Sequence, residues 1–372
     1  MADKKAKFVD IQIETFLENT FYFKADSLLI TVDFLGSCYV VSKQPGVGRQ
    51  YGKYKEVYYR FKQSSDKRSI IFTFSGPTLF DIKKPNIKSI TKEAKEILND
   101  LISNICILRE NILAKNENAL KHEEKEQIRK MNIIIDIKGH SRGGIVANNI
   151  YRWFLKNFSK YEIKLKLKKL VIADPYAGPI NRIIKKKNDN FDDINVPENI
   201  PENKVVVYTV ANKEFHDPAK SLKSGIVVLT DSAHGATRYI ANYMFNSNYE
   251  KGLFICCDSN SELKKIHTAV NRYPTEKEQM FIEKWLKNHI EKIDAKNISD
   301  ILEGVGRYKN FAYKKISSDG RRVLFYSALA KELPNEVKEF LEAVDHKSMW
   351  AKVEKTLGIN NMNKSESKFS KE

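Results

Sequence analysis

The stretch 133-IIIDIKGHSRGGIVANNIYRWF-154 begins as a run of isoleucines, breaks into Gly-His-Ser-Arg-Gly-Gly, and resumes with apolar residues at helical spacing. Ile133, Ile134, Ile135 and Ile137 are β-branched and predict a buried strand over Ile133–Lys138. Ile145, Ala147, Ile150, Trp153 and Phe154 fall on one helical stripe. Between them, Gly139-His140-Ser141-Arg142-Gly143 fits the pattern G-x-S-x-G, whose meaning depends on a strand before it and a helix after it. Both are predicted here. A sharp strand-to-helix turn strains the backbone of its central residue, and side chains two positions to either side would collide with neighbouring backbone, so glycine is required there. Such a turn lifts the Ser141 hydroxyl above the sheet at the positive end of a helix, where backbone N–H groups can meet an oxyanion.

A serine hydroxyl needs a positioned base to become a nucleophile at neutral pH. The chain has seven histidines. His140 is the variable residue of the turn, His289 falls on a predicted helix, and His122 and His346 lie in highly charged stretches. His216 and His234 follow predicted strands, and His234, after the last of these, suits the order serine, acid, histidine. For the acid, Asp174 ends the strand that follows the nucleophile helix, and Pro175 forces the chain to turn there. Asp217 and Glu214, in 211-ANKEFHDP-218, are alternatives at the end of the next strand. Asp231, three residues before His234, is expected to shape its loop. The Arg142 N–H is the expected first oxyanion donor. A second is expected from 71-IFTFSGPTLFD-81, at Gly76 or Ser75.

Working outward, strands are predicted at 28–34, 37–42, 55–62 and 69–75, with the glycine-rich 43-KQPGVGRQYGK-53 as a hairpin tip. A long helix is expected from an N-cap at Ser89, through Ala94, Ile97, Leu98, Leu101, Ile105 and Leu108. Further strands are expected in 167-LKKLVIADPYAGP-179, 204-KVVVYTV-210 and 225-GIVVLT-230, with 231-DSAHGATRYIANYMF-245 as a loop entering a helix. Strands alternating with helices predict an α/β fold with a largely parallel sheet, whose ligands bind at the carboxyl ends of its strands. The pattern turns mainly helical beyond about residue 262. Thr275 and Glu278 form a capping box ahead of Phe281, Ile282, Trp285, Leu286, Ile290 and Ile293, and helices are expected at 335–345 and 347–357. The domain reading is therefore a catalytic domain over 1–261, a mainly helical region over 262–358, and a tail over 359–372 without periodicity.

With 372 residues, 42% hydrophobic and 11% aromatic, the chain can build a sizeable core. Its net charge of +17 favours anionic partners. Basic and aromatic residues interleave from Arg49 to Arg60, which could clamp nucleotides, but strand alternation accounts for the pattern and a nucleic-acid partner is not expected. GHSRGG lacks the Lys-Ser/Thr of a phosphate loop. The four cysteines, Cys38, Cys106, Cys256 and Cys257, contain no C-x-x-C pair, and no metal is expected. The polar N-terminus and the charged longest apolar run, 28-LLITVDFLGSCYVV-41, predict no signal peptide and no membrane span, hence a cytoplasmic protein or one exported without a cleavable signal.

GHSRGG, 172-IADPYAGP-179 and the His234 loop together resemble the α/β-hydrolase superfamily of serine esterases and lipases, over about 28–246. The Asp-Pro segment resembles that of pancreatic-type lipases and phospholipases A1, which supports Asp174 as the acid. The Ser-Arg-Gly form of the turn resembles bacterial phospholipase effectors. The resemblance implies an α/β-hydrolase-type sheet and ester hydrolysis through an acyl-enzyme on Ser141, His234 and Asp174, with no cofactor. A thioesterase or peptidase would use the same triad, and a non-catalytic α/β protein for an anionic partner is the alternative outside enzymes. The insertion over about 180–203 follows the acid and places Ile180, Ile183 and Ile184 beside Arg182 and Lys185, a composition suited to a lid docking on anionic lipid. A lipid ester is the expected substrate.

Overall fold

The computed structural model describes residues 27–37, 49–54, 57–63, 68–78, 85–115, 120–157, 159, 163–175, 204–209, 225–258, 262–263, 276–294, 296–299 and 301. The expected insertion over 180–203, the strand over 37–42 beyond Ser37, Thr275, the helices at 335–345 and 347–357 and the tail lie outside them, as do Glu214, His216 and Asp217. The fold is α/β: a mixed, mostly parallel sheet flanked by helices.

The chain divides into two compact units that are discontinuous in sequence, rather than at a single point near residue 262. The first comprises Met1–Val207, Lys223–Ile226 and Ile240–Glu250; the second comprises Tyr208–Leu222, Val227–Tyr239 and Lys251–Glu372.

In the first unit, the strands are β1 (Ser27–Phe34), β2 (Arg49–Tyr54), β3 (Val57–Gln63), β4 (Ser69–Phe74), β5 (Asn132–His140), β6 (Lys164–Ala173) and the start of β7 (Lys204–Thr209). They lie in the order β7-β6-β5-β1-β4-β3-β2. β4, β1, β5, β6 and β7 run parallel, while β2, β3 and β4 pair antiparallel. Parallel strands are covered on both faces and read as continuous apolar runs, as Ile133–Ile135 and Val205–Val207 do. The glycine-rich segment is not a hairpin tip over its whole length: Arg49–Tyr54 is a strand, paired from Arg49↔Lys62 to Tyr54↔Val57. Along β3, Val57, Tyr59 and Phe61 are buried and Tyr58 and Arg60 are half-buried. Tyr59 stands with Phe72 and Phe74 at ring distances of 6.4 and 6.1 Å, so this aromatic belongs to the core rather than to a nucleotide-stacking face.

Helix α1 (Ile87–Lys115) buries the expected stripe, Ala94, Ile97, Leu98, Leu101, Ile105 and Leu108. Its cap is one turn earlier than expected. Asn86 is the N-cap, its Oδ1 accepting the Ser89 N–H at 2.9 Å while Ser89 Oγ accepts the Asn86 N–H at 2.8 Å, a reciprocal box in which Ser89 is the third helical residue. After α2 (His122–Lys130), β5 leads into α3 (Arg142–Asn157), which packs on β5 and β6 and against α1. Ile145, Val146, Ile150 and Phe154 of α3 are buried, each side chain stabilising the fold by about 1.5–3 kcal/mol. Lys169 donates to the carbonyl of Phe245 near the end of α4 (Thr237–Asn246), and Lys138 Nζ sits 3.9 Å over the Phe245 ring.

The second unit holds β8 (Gly225–Thr230) from Val227 onward, β9 (Gly252–Cys256) and β10 (Ile290–Lys292), with β9 and β10 antiparallel, and helix α5 (Glu276–His289). β8 is therefore not the last strand. The short apolar run Leu253–Cys256 carries the signal for β9. Ile282 and Leu286 are buried on α5, Phe281 is exposed, and Ile290 opens a strand instead of extending the helix. No helix among the described residues is long and apolar enough to cross a membrane.

Candidate active site

β5 ends at His140 and α3 begins at Arg142, so a single residue, Ser141, makes the turn. Its φ is 54°. For a residue with a side chain, this left-handed conformation costs roughly 1–2 kcal/mol and persists only where the surroundings over-determine it. The surroundings do so here. The Ser141 N–H donates to the Ala173 carbonyl of β6 at 2.9 Å, and the Ser141 carbonyl accepts the Gly144 N–H at 2.9 Å. Both flanking glycines are sterically required, as the sequence pattern predicts. A β-carbon on Gly143 would lie 2.3 Å from the Phe34 carbonyl oxygen of β1, and one on Gly139 would lie 2.3 Å from the Gly143 carbonyl oxygen. Strand and helix thus meet with no room for a methyl group. The first N–H groups of α3, those of Arg142 and Gly143, belong to the helical turn whose donors lack intrahelical acceptors.

Sheet register aligns the neighbouring strand ends with this turn. β5 and β6 pair through Gly139↔Ile172 and His140↔Ala173, which brings Asp174 level with Ser141 one strand away. Asp174 is 1% exposed, has a φ of 43°, and donates its N–H to the Val207 carbonyl of β7 at 2.7 Å. Ser141 and Asp174 are the non-glycine residues with positive φ among the described residues. Their alignment depends on a register shift between Ile135 and Asp136, where Leu167 pairs with Ile135 but Lys169 with Asp136. Without that extra residue in β6, Ser141 would stand level with Ala173 instead.

On the other side, β1 pairs with β5 through Phe34↔Gly139 and with β4 through Phe34↔Phe74. Gly36 is therefore level with Ser141, and Gly76 is level with Gly36 one strand further out. A β-carbon on Gly36 would lie 2.8 Å from His140 Nδ1 and 3.2 Å from Ser141 Cβ; one on Gly76 would lie 1.7 Å from the Gly36 carbonyl oxygen. Gly76 packs against Gly36 and stands two strand spacings, about 10 Å, from β5. Ser75 donates its N–H to the Tyr58 carbonyl at 2.9 Å, which commits it to β3. The loop beside the nucleophile turn is thus Leu35–Ser37, after β1, and not the loop after β4. The Gly36-Ser37 break inside the apolar run 28–41 is the sequence signal that marks it.

In the second unit, His234 opens a 3₁₀ turn, His234–Ala236, after β8. It is half-buried, and its carbonyl accepts the Thr237 hydroxyl at 2.7 Å. The loop leading to it is pinned by buried polar groups. Asp231 Oδ1 accepts the Asp258 N–H at 2.6 Å, Ser232 Oγ donates to Asp258 Oδ2 at 3.3 Å, and the Ser232 carbonyl accepts the Thr209 hydroxyl. Asp231 shapes the loop, as expected from its spacing. Burial, together with Cys257 and the two aspartates, pushes the Cys256 thiol well up, which keeps it protonated and unreactive. Among the described residues, no three His, Cys, Asp or Glu side chains gather as a metal site.

Comparison with protein families, curated proteins and solved structures returns no match to this chain.

Proposed function

We propose that this chain is a serine hydrolase that cleaves carboxylic esters through an acyl-enzyme, with a lipid ester as its substrate class. The observation that carries the reading is the left-handed Ser141 held on a one-residue strand-to-helix turn, with Asp174 buried at the same level on the adjacent strand. A turn that spends conformational energy on a serine, where glycine would be relaxed, fits selection for the hydroxyl. The reading takes Ser141 as nucleophile, Asp174 as acid and, from chain order, His234 as base. Ser141 Oγ attacks the ester carbonyl as the imidazole takes its proton. The tetrahedral oxyanion, held by the Arg142 N–H at the start of α3, collapses as the imidazolium returns that proton to the leaving alcohol. Water then gives a proton to the same imidazole and attacks the acyl carbon, and the imidazolium returns that proton to Ser141 Oγ as the acyl–oxygen bond breaks and the acid leaves. No cofactor enters this scheme. The lipid class rests on the resemblance of the motifs and on the net charge of +17, which favours anionic interfaces.

The reading is tested by treating the full chain with a fluorophosphonate probe and mapping the modified residue. Labelling at Ser141, lost in Ser141→Ala together with hydrolysis of short-chain and phospholipid esters, is the expected result. A folded wild-type chain that is not labelled at Ser141, or a fully active Ser141→Ala variant, refutes it.

A further inference from the structure

Among the described residues, Ile71 on β4 and Ile107 on α1 are exposed singly, but on α5 two large apolar side chains stand side by side: Met280 is 71% exposed and Phe281 47%. Single exposed apolar residues are ordinary on a protein surface, whereas clustered ones mark a contact. The rest of α5 says with what. Ile282 and Leu286 are buried and fix the inward side of the helix. At about 100° per residue, Lys287, Met280, Lys284, Lys277 and Phe281 follow one another around the opposite side within about 120°, with Lys284 near its centre. All of them are exposed. This sector carries lysines and no carboxylate. Glu276 and Glu283 lie beyond Lys287 on one flank, where Glu283 Oε1 accepts a hydrogen bond from Gln279 Nε2 at 3.1 Å, still further round the helix. Beyond Phe281 on the other flank, half-buried Trp285 stacks on His289 with ring centroids 3.9 Å apart, and Glu278 is half-buried next to it.

We propose that the outward face of α5 docks this chain on the surface of an anionic lipid bilayer. The placing of Lys284 between Met280 and Phe281 selects that partner. A protein partner would have to strip water from this central ammonium, and the cores of protein interfaces are accordingly depleted in lysine. The headgroup layer makes no such demand. Met280 and Phe281 enter the boundary between headgroups and acyl chains, while the lysine stems lie along them and their ammonium groups stay hydrated among the lipid phosphates and carboxylates. The net charge of +17 draws the chain towards the same surface. This docking does not depend on the hydrolase reading, and either can fail without the other.

The test is co-sedimentation of the full chain with vesicles of phosphatidylcholine alone and with vesicles containing about a quarter phosphatidylserine. Three variants are compared with wild type: Lys277→Gln, Lys284→Gln and Lys287→Gln together; Met280→Ser with Phe281→Ser; and, as a control of equal charge change on exposed lysines of the first unit, Lys88→Gln, Lys92→Gln and Lys164→Gln together. Each lysine beside an anionic leaflet strengthens partition about fivefold, so the α5 lysine triple is expected to weaken binding to the anionic vesicles by about 10²-fold. The serine pair is expected to weaken it by about tenfold or more, since it removes the inserted apolar groups. The control triple should stay within about fivefold of wild type, and all variants should keep the wild-type unfolding midpoint, as their positions are exposed. Absence of wild-type binding to the anionic vesicles overturns the proposal. So does an equal loss in the control triple, which would assign the binding to the field of the whole chain, or full binding by the serine pair, which would show that α5 does not enter the bilayer.

Discussion

Replacing Ser141 by glycine is expected to give a protein that is inactive yet more stable than the equally inactive Ser141→Ala variant. The backbone effect is separable from catalysis by comparing two variants, Ser141→Gly and Ser141→Ala. Both delete the buried hydroxyl, so its loss cancels between them. They differ in what a φ of 54° costs. Alanine retains the left-handed penalty of about 1–2 kcal/mol; glycine is relieved of it but loses about 0.4–1 kcal/mol through the greater freedom of its unfolded chain. Glycine should therefore exceed alanine by roughly 0.5–1 kcal/mol. With a urea slope of about 2 kcal/mol per M, that is a midpoint difference of roughly 0.3–0.5 M. The assay is urea unfolding followed by tryptophan fluorescence, with the transition that reports on Trp153 of α3 taken as the readout. A control pair at Lys92, an exposed position inside α1, should show the opposite order, with glycine less stable than alanine by about 0.5–1 kcal/mol. If alanine at position 141 is as stable as glycine, the turn is not strained, and the argument that it is maintained for its hydroxyl loses its basis.

Asparagine tolerates the left-handed region and preserves the shape of aspartate, so Asp174→Asn isolates the charge from the φ of 43°. It is expected to lower kcat by about 10³–10⁴-fold with an unchanged unfolding midpoint, and near-wild-type turnover would move the acid to Asp217 or Glu214. Lys204, 1% exposed at the start of β7, has its ammonium pushed down to about 7, first by burial and then by the nearby Arg152 charge. Between pH 7 and about 10.5 the unfolded chain binds more protons at this site than the folded one, so this site's contribution to stability rises with pH across that window and its penalty is fully present below it. Lys204→Met should accordingly raise stability at pH 7 by an amount on the order of a few kcal/mol and by much less at pH 10, measured by urea unfolding at both. An equal effect at the two pH values would show that the ammonium is not the source.

Local chemistry made much of this chain readable. The isoleucine run, the paired glycines and the amphipathic helix each follow from short-range rules of steric allowance and side-chain period, and they led to Ser141 and its turn without reference to any other segment. The Asp-Pro end of β6 and the loop role of Asp231 were legible for the same reason. Smaller errors had local causes too. Ser89 reads as a cap because both partners of a capping box are polar, and the true cap, Asn86, lies three residues earlier. β9 is hard to read from the sequence because four apolar residues, Leu253–Cys256, between a helix and a polar loop carry little periodicity.

What the sequence by itself determined is therefore the nucleophile turn: its residues, its place between strand and helix and the glycines that allow it. What only the tertiary structure decided is the company that turn keeps. Backbone ladders are indifferent to side-chain identity, so nothing in β5 announces that its neighbour is β1, about a hundred residues earlier, and not β4. That choice moves the adjacent loop from Gly76 to Gly36 and Ser37. The register shift beside Ile135 is likewise a sheet-level event, and it is what carries Asp174, rather than Ala173, to the level of Ser141.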